Sequence, residues 1–452
     1  MQLQLHTITI EDLIPADHFL RKLDVALDLS FVYEMTAPLY SKKYGRPPID
    51  PVVLVKYLLV GFLYAIPSER QIELRIQTDV ALRWYLGLDL FDAVPDHSTI
   101  SQLRRRKPKF RKVFRRLFEE VVRQCIEMGL VSGRLVATDS THVRANASRA
   151  SEVLVEMPEE PGAYYDRLDA YEEEALKQLP PKKCRRQGKR TRQLKRDNRR
   201  TKKRVSVTDP EAGHMKRPGK PEGPHYLSHQ TLDTDHGIIL DVAVTSGDVS
   251  DSVPYLAQIE RVHREVIPIQ AATADAAYDF PLAHEVLLEN NITFYVRPQA
   301  HFDRTQVELK RDAFSYDSER DCFLCPNRKE LRLNTLQRSA SSLHWVYLAD
   351  KRECKTCPLR EKCILESNKR GARKLVRNYF QPAIDRNAAR WGTAEHREAL
   401  KQRQIWSEGT FAAQKRSHNL TRVLRRGLEA AEDHCLLSAT ALNLKRWIKC
   451  MC

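Results

Sequence analysis

The sequence predicts an α/β protein in which an all-α N-terminal region precedes a core built on a mixed β-sheet. Apolar residues recur at helical spacing through residues 1–130. From residue 133 the pattern changes to short apolar runs of strand length, separated by turn residues. A third feature is an insertion, residues 299–375, in which five cysteines cluster between 322 and 363.

The N-terminal region contains four helical patterns. Residues 50–64 begin with an Asp N-cap followed by Pro and are apolar nearly all round, which predicts a buried helix. Residues 68–86 and 108–129 also favour helix. Between them, Ser98 or Thr99 is expected to cap a short helix whose basic end is Arg104, Arg105 and Arg106.

A helix with a basic end is what a helix-turn-helix-like module uses to contact DNA. We therefore predict that residues 1–130 form a DNA-end-binding or dimerisation domain. The alternative is a helical packing domain with a solvated basic face.

The core is predicted from the order of its elements. The pattern gives a strand (133–139), a hairpin (225–235 and 237–247), a helix (251–264), a strand (268–274), a helix (280–290) and a strand (292–298). This order matches an RNase H-like core, and we assign it to a catalytic domain over residues 131–452.

A charge-segregated insertion, residues 144–223, interrupts this core. Residues 152–178 hold nine acids and two bases, whereas residues 182–204 hold 14 Lys/Arg and one Asp. The acidic half is expected to form a helix that folds back on the basic half; alternatively the basic half lies along phosphates, or the segment is a solvated linker. The whole chain has a formal charge of +16, which favours a polyanionic partner.

The location predicted from the sequence is cytoplasmic. No apolar run reaches the roughly 18 residues that span a bilayer, and the first residues lack the pattern of a signal peptide.

Three acidic residues are candidates for a metal-dependent site. Asp139 ends the apolar run 133–138, Asp275 ends the run 269–274, and Glu408 lies in a C-terminal helical pattern. Two strand-end aspartates and a helix glutamate can gather two divalent ions that activate an in-line phosphoryl transfer. The ordinary alternative for each aspartate is a turn cap.

Basic and aromatic residues near these acids are candidates for DNA contact. Lys415 is seven residues after Glu408 and so shares its helix face, although such a pair is by default a surface ion pair. Arg425 and Arg426 are expected to extend that cationic face. Tyr278 is expected to stack on a base or bind a phosphate, with a core tyrosine as the alternative, and Asp279 is expected to cap the next helix.

Together these segments resemble the DDE-type transposases of bacterial insertion sequences. The resemblance rests on residues 43–64, on DHSTISQLRRR (96–106), on the two aspartate motifs and on the closing E-G-T-F…K…RRGL…NLK pattern. It implies that Asp139, Asp275 and Glu408 form the DDE triad and bind two Mg²⁺ or Mn²⁺ ions, and that Lys415 contacts the transposon end. It further implies double-stranded DNA as partner, both terminal inverted repeats and target, and a homodimer on DNA in the nucleoid.

One part of the sequence departs from the family pattern. The family places a Tyr seven and an Arg four residues before the Glu, where this chain has Lys401 and Gln404. Arg403, one residue away, is the candidate substitute. Glu398 and Glu395 are alternatives to Glu408.

Two other functions fit the same residues. A decayed or domesticated transposase would bind DNA as a regulator without catalysis, and a nuclease of the same fold would hydrolyse DNA without joining it to a target.

The clustered cysteines predict a structural zinc site. CFLC (322–325) is followed by CKTCPLREKC (354–363), and four thiolates in this spacing suit tetrahedral Zn²⁺. The preferred ligands are Cys325, Cys354, Cys357 and Cys363, with Cys322 as the competitor and reduced surface thiols as the alternative.

Overall fold

The computed structural model describes residues 9–40, 49–106, 108–158, 164–179, 200–217, 219, 221–299, 307–339, 342–365 and 371–451. The basic run 182–199 and the side chains of Arg105 and Arg106 lie outside the described part of the protein. In that part, no helix is long and apolar enough to cross a membrane.

The main helices and strands have the following bounds. The helices are α1 (Phe19–Ala26), α2 (Phe31–Thr36), α3 (Pro51–Leu63), α4 (Glu69–Thr78), α5 (Val80–Tyr85), α6 (His97–Arg106), α7 (Lys112–Glu127), α8 (Tyr164–Lys177), α9 (Ser252–Arg261), α10 (Pro281–Glu289), α11 (Lys351–Lys355), α12 (Arg360–Cys363), α13 (Gln381–Ala388), α14 (Ala394–Arg403), α15 (Gly409–Ser417) and α16 (Leu428–Cys450). The strands are β1 (Val136–Arg144), β2 (Glu152–Pro158), β3 (Arg200–Ser206), β4 (Gly213–Met215), β5 (Gly223–Asp233), β6 (Ile239–Ser246), β7 (Ala271–Ala274), β8 (Thr293–Val296), β9 (Ser315–Asp317), β10 (Cys322–Leu324), β11 (Glu330–Arg338), β12 (Leu343–Ala349) and β13 (Lys374–Asn378).

The chain forms two compact units. The first consists of Met1–Val155, Lys203–Ala274 and Glu398–Cys452, and the second of Glu156–Lys202 and Asp275–Arg397. The functional division at residue 130 remains a prediction.

The sheet of the first unit has the predicted mixed topology. β1 is antiparallel to β5, β5 is antiparallel to β6, and β1 is parallel to β7, so these strands lie in the order β6-β5-β1-β7. The connection from β6 to β7 runs through α9, as a crossover between distant strands requires. The RNase H-like α/β prediction is therefore confirmed in the order and directions of these strands.

Helix α3 is capped and buried as its sequence predicts, whereas the helix expected over 68–86 is divided into α4 and α5 at Asp79, whose side chain caps α5. The Asp50 side chain caps α3 by accepting from Val52 N at 2.7 Å, and most of α3 is buried. The last helix, α16, packs against α3, α7 and β6. The predicted cap of α6 was wrong: Asp96, not Ser98 or Thr99, accepts from Ser98 N at 2.7 Å.

The second unit contains a separate antiparallel sheet with the strand order β13-β12-β11-β10-β9. Its core is aromatic, and Phe323 and Tyr347 meet edge to face with ring centroids 5.1 Å apart. The acidic half of the insertion forms α8, as predicted, but α8 packs on this sheet, where Arg338 Nη1 donates to Glu172 Oε2 at 2.9 Å. Its acids are thus partly neutralised by the cysteine-bearing sheet.

Candidate active site and cysteine cluster

Asp139 lies within β1 rather than at its end. The strand continues to Arg144, and Thr141, His142 and Val143 are buried because the whole of β5 runs alongside them. The predicted strand end was wrong because polar residues were taken as loop, whereas here they are covered by a neighbouring strand. Asp139 is opposite Gln230 of β5, and its side chain is about four-fifths buried.

Asp275 directly follows the last residue of β7. The parallel register pairs Thr138 with Ala274, the two residues that precede Asp139 and Asp275. One oxygen of the Asp275 carboxylate accepts from Ala277 N at 2.8 Å and so caps a short 3₁₀ turn. Asp275 therefore does serve as a turn cap, which leaves its second oxygen chemically suited to a metal ion.

Glu408 ends a π turn, Gln404–Glu408, that joins α14 to α15. Its side chain is exposed, and the turn contacts β1. A π turn forms i→i+5 hydrogen bonds and is found often at functional sites. The helical setting predicted for Glu408 is thus confirmed, with an irregularity that the sequence pattern did not indicate.

Two basic side chains lie against β1 on the face of Asp139. Arg403 Nη1 donates to Asp139 Oδ2 at 3.1 Å, and Lys415 Nζ donates to Thr141 Oγ1 at 2.6 Å. Residues 139 and 141 share a face because side chains alternate along a strand. The first unit therefore brings together Asp139, Arg403, Lys415 and the turn that carries Glu408.

A buried amide pair near Asp139 was missed by the sequence reasoning. Gln230 Nε2 donates to Gln414 Oε1 at 2.9 Å, and both side chains are fully or almost fully buried. This bond ties β5 to α15, the helix that carries Lys415. The sequence signal that could have indicated this pair is the polar run Ser-His-Gln-Thr inside the predicted strand β5. Every residue of β5 is buried, so these polar side chains need partners.

Several predicted DNA contacts are placed differently by the structure. Arg104 pairs with Glu69 and only 9% of its side chain is exposed; burial lowers its pKa to about 10. Tyr278 is 1% exposed, which fits the core alternative. Asp279 does not cap α10; it accepts from Gln299 N at 2.7 Å and bonds to His284 at 2.8 Å.

Arg425 and Arg426 do not continue the helix face of Lys415. The helix α15 ends at Ser417, and both arginines lie in the loop before α16. Arg425 Nη1 donates to Asp433 Oδ2 at 3.5 Å, and Arg426 Nε donates to Asn146 O at 3.3 Å. The helix ends because Asn419 adopts a positive φ of 58° and donates to Gly61 O at 3.0 Å.

Three of the clustered cysteines lie close enough to Cys363 to affect its pKa. Burial raises the pKa of Cys363, and Cys354, Cys325 and Cys357 raise it further, against Arg373. Cys325 also accepts a hydrogen bond from Lys329 N at 3.3 Å, as a metal-bound sulfur does in a tight turn. Cys322 is 2% exposed, and the charged groups around it are Glu330, Asp317, Arg320 and Arg332 rather than thiols.

The four sulfur atoms are not drawn together as tightly as in a metal-bound site. Among the described residues, one group of three or more Asp, Glu, His or Cys side chains has ligand atoms that all lie within 4.8 Å of one another, and it consists of Glu73, Asp96 and His97. That group has structural contacts at the start of α6: His97 Nδ1 bonds to Glu73 Oε2 at 2.7 Å, and Asp96 caps the helix.

Comparisons with known proteins identify two domains. A family model described as a transposase domain (DUF772) matches residues 8–106. A second, described as a transposase DDE domain, matches residues 324–448. The comparison with curated proteins gave no match.

The chain is also similar to solved structures. One is the piggyBac transposase synaptic complex with hairpin DNA, at a TM-score of 0.36 and 8% identity over 94% of this chain and 73% of that chain. Another is the Mos1 transposase paired-end complex with left transposon end, at a TM-score of 0.17 and 10% identity over 58% and 62%. Such TM-scores are too low to support a structural argument, and the assignment rests on the two family models.

Two matches to transposase domains, one in each terminal region, define the protein as a transposase. Both matches support a DDE-type insertion-sequence transposase, a class of enzyme that cleaves DNA, transfers its strands and uses divalent metal ions. The regulator and nuclease alternatives are not favoured. Neither match includes Asp139 or Asp275, whereas the second includes Glu408, Lys415 and every clustered cysteine except Cys322.

Proposed function

We propose that Asp139, Asp275 and Glu408 are the catalytic acids and hold two Mg²⁺ or Mn²⁺ ions. The observation that carries this proposal is the register of β1 and β7, in which the residues preceding the two aspartates are paired. The contact of the Glu408 turn with β1 supports it, as does the guanidinium of Arg403, a cation that pairs with Asp139.

The ions would activate a water or a 3′-hydroxyl and stabilise the leaving oxygen of an in-line displacement. The chain's own residues supply position and charge. Asp139 is held by β1 and β5 in a rigid central strand. Lys415, placed by α15 beside Thr141, neutralises a backbone phosphate, and Arg403 exchanges its bond to Asp139 for one to DNA.

The proposed DNA partners are the terminal inverted repeats and a target duplex. The inverted repeats are bound by residues 1–130, including the basic end of α6 at Arg105 and Arg106. Lys415, Arg403 and Arg426 bind the same DNA. Because two ends must be joined, the proposed active form is a homodimer on DNA, in the cytoplasm at the nucleoid.

The test is Asp139→Asn in the full-length protein, assayed on a labelled duplex of the DNA that flanks the coding region. The substitution removes the charge but keeps the shape, so cleavage and strand joining should be lost while duplex binding persists. Asp312→Asn, an exposed aspartate of the second unit, is the matched control and should behave as the parent protein. Cleavage by Asp139→Asn would contradict the assignment, and hydrolysis by the parent protein without joining would favour the nuclease.

We also propose that Cys325, Cys354, Cys357 and Cys363 bind one structural Zn²⁺. Four thiolates satisfy the tetrahedral preference of zinc without an open position for water. The effect of the other three thiols on the pKa of Cys363 supports this set. Their sulfurs must close in further around an ion, because no three lie within 4.8 Å of one another in the described structure.

Zinc content by elemental mass spectrometry tests this set. Cys357→Ser should lose the ion and lower the melting temperature, whereas Cys322→Ser and the exposed Cys450→Ser should retain one equivalent. One equivalent of zinc in Cys357→Ser, or no zinc in the parent protein, would overturn the proposal.

A further inference from the structure

The indole of Trp406 lies directly on the backbone of Gly237. A Cβ atom at position 237 would lie 2.4 Å from Trp406 Cε3 and 2.6 Å from Cζ3, which no side chain can do without displacing the indole. Gly237 also has a φ of 72°, in the turn between β5 and β6. Two independent requirements, the close approach and the backbone conformation, therefore select glycine at this position.

Arg446 of α16 completes this contact. Its guanidinium lies over the Trp406 ring, 5.6 Å from the centroid, and donates to Thr410 Oγ1 at 2.8 Å and to Gly237 O. Burial lowers the pKa of Arg446 to about 10, a value at which it remains a cation at neutral pH. Gly237, Trp406 and Arg446 together form what we call the indole clamp.

The indole clamp contacts the chain on both sides of Glu408. Trp406 is two residues before Glu408 and Thr410 is two residues after it. The Trp406 indole is further held by the bond from its Nε1 to Gln402 Oε1 at 3.2 Å. Any rotation of the turn about the helix axis would therefore have to move a side chain that is fixed against the β5–β6 turn and α16.

The π turn decides on which side Glu408 emerges. Arg403 and Glu408 are five residues apart, and in a regular α-helix this separation would turn their side chains about 140° away from each other. A π turn, with its i→i+5 bonds, brings residues five apart onto one side. Since Arg403 contacts Asp139, the π turn directs Glu408 to the side of Asp139.

We infer that Gly237, Trp406 and Arg446 are positioning residues, which hold the π turn so that the Glu408 carboxylate is available to a metal ion beside Asp139. The inference rests on the proposed catalytic role of Glu408. None of the three residues touches the reacting atoms, so their effect should appear as a change in the metal requirement and not in DNA binding.

The test compares Gly237→Ala with Gly129→Ala. Both glycines have a φ of 72°, but a Cβ at position 129 meets no atom within 4 Å. The difference between the variants therefore reports the indole contact and not the backbone strain. Cleavage of the flanking-DNA duplex is measured against Mg²⁺ and Mn²⁺ concentration, with duplex affinity and melting temperature measured alongside.

Gly237→Ala should need about tenfold more Mg²⁺ for half-maximal cleavage than Gly129→Ala, as is typical when the support of a metal ligand is disturbed. Excess Mn²⁺ should restore part of the rate, and duplex affinity should be equal in the two. Identical metal requirements would overturn the inference. If Gly237→Ala does not fold, Arg446→Lys is used instead. It keeps the charge but cannot form both the bond to Gly237 O and the bond to Thr410 Oγ1, so it should show the same increase in Mg²⁺ requirement. A parental metal requirement in Arg446→Lys would overturn the inference.

Glu408→Gln separates this inference from the proposed function. A fully active Glu408→Gln would overturn both, because the clamp would then position nothing that the reaction needs. If Glu408→Gln is inactive while Gly237→Ala and Gly129→Ala have the same metal requirement, the catalytic assignment stands and the indole clamp alone is rejected.

Discussion

Arg403 Nη1 donates to Asp139 Oδ2 at 3.1 Å, so the carboxylate proposed to bind a metal ion already has a cation bound to it. Both side chains are 18% exposed, which places the pair in a partly desolvated position. A divalent ion that binds Asp139 must compete with this guanidinium or share the carboxylate with it. The bond therefore couples metal binding to the position of α14.

Replacing Arg403 with Ala should tighten Mn²⁺ binding to the DNA-free protein, because it removes the competing cation. An ion pair of this exposure contributes up to about 1 kcal/mol, so the gain in affinity should be up to about fivefold. Isothermal titration with Mn²⁺ measures it. Lys401→Ala, on the same helix and with a distant contact of 3.9 Å to Glu398, is the control and should leave the affinity unchanged. Weaker Mn²⁺ binding by Arg403→Ala would show that the arginine supports the site instead of competing for it.

The bond between Arg403 and Asp139 explains why the arginine before Glu408 departs from the family spacing. The arginine expected four residues before Glu408 stands five before it, at Arg403. The π turn accommodates the extra residue, since it brings residues five apart onto one side. Periodicity did not predict this turn, because it depends on the packing of Trp406 against Gly237, residues distant in sequence.

The order of the core strands and helices along the chain was predictable because it follows from local apolar spacing. The hairpin of β5 and β6 and the helices α3 and α9 are examples. The roles of Arg104 and Tyr278 were not predictable, because their burial depends on neighbours such as Glu69 that only the fold brings together. The loop position of Arg425 and Arg426 was missed for the same reason: the bonds that end α15 are to Gly61 and Phe62, in α3.

Lys415 should contribute one phosphate contact to the binding of duplex DNA. Lys415→Met should lower the affinity and reduce the slope of log K against log salt concentration by about one, the change for one lost counterion. Thr141→Val removes the acceptor of the 2.6 Å bond but keeps the charge, so its slope should equal that of the parent protein. Fluorescence anisotropy over a salt series measures both. An unchanged slope in Lys415→Met would mean that its ammonium does not meet DNA.

Two buried histidines hold the loop before α16, since His418 bonds this loop to α3 and His434 bonds it to α16. His418 Nδ1–H donates to Phe62 O at 2.9 Å, and His434 Nε2–H donates to Asn419 O at 2.8 Å. Burial lowers the pKa of both from about 6.5 to about 4; the bonds to carbonyls oppose the shift, while Lys445 and Arg446 near His418 and Arg104 near His434 add to it. Both are therefore neutral in the folded protein at pH 5, where an unfolded chain would protonate them.

Acid should consequently destabilise the first unit between about pH 6.5 and pH 4. In this window the unfolded chain binds more protons than the folded one, so the free energy of unfolding falls as the pH falls, and it is independent of these groups above the window. At pH 5 the loss should be on the order of 2 kcal/mol for each histidine. His434→Gln keeps an N–H donor but does not titrate, so it should reduce the difference between urea midpoints at pH 7 and pH 5 by the share that belongs to His434, while that of His418 remains. His236→Gln, an exposed histidine in the β5–β6 turn, is the control and should keep the parental difference. The same acid sensitivity in His434→Gln and the parent protein would show that His434 is not held neutral by burial against α3.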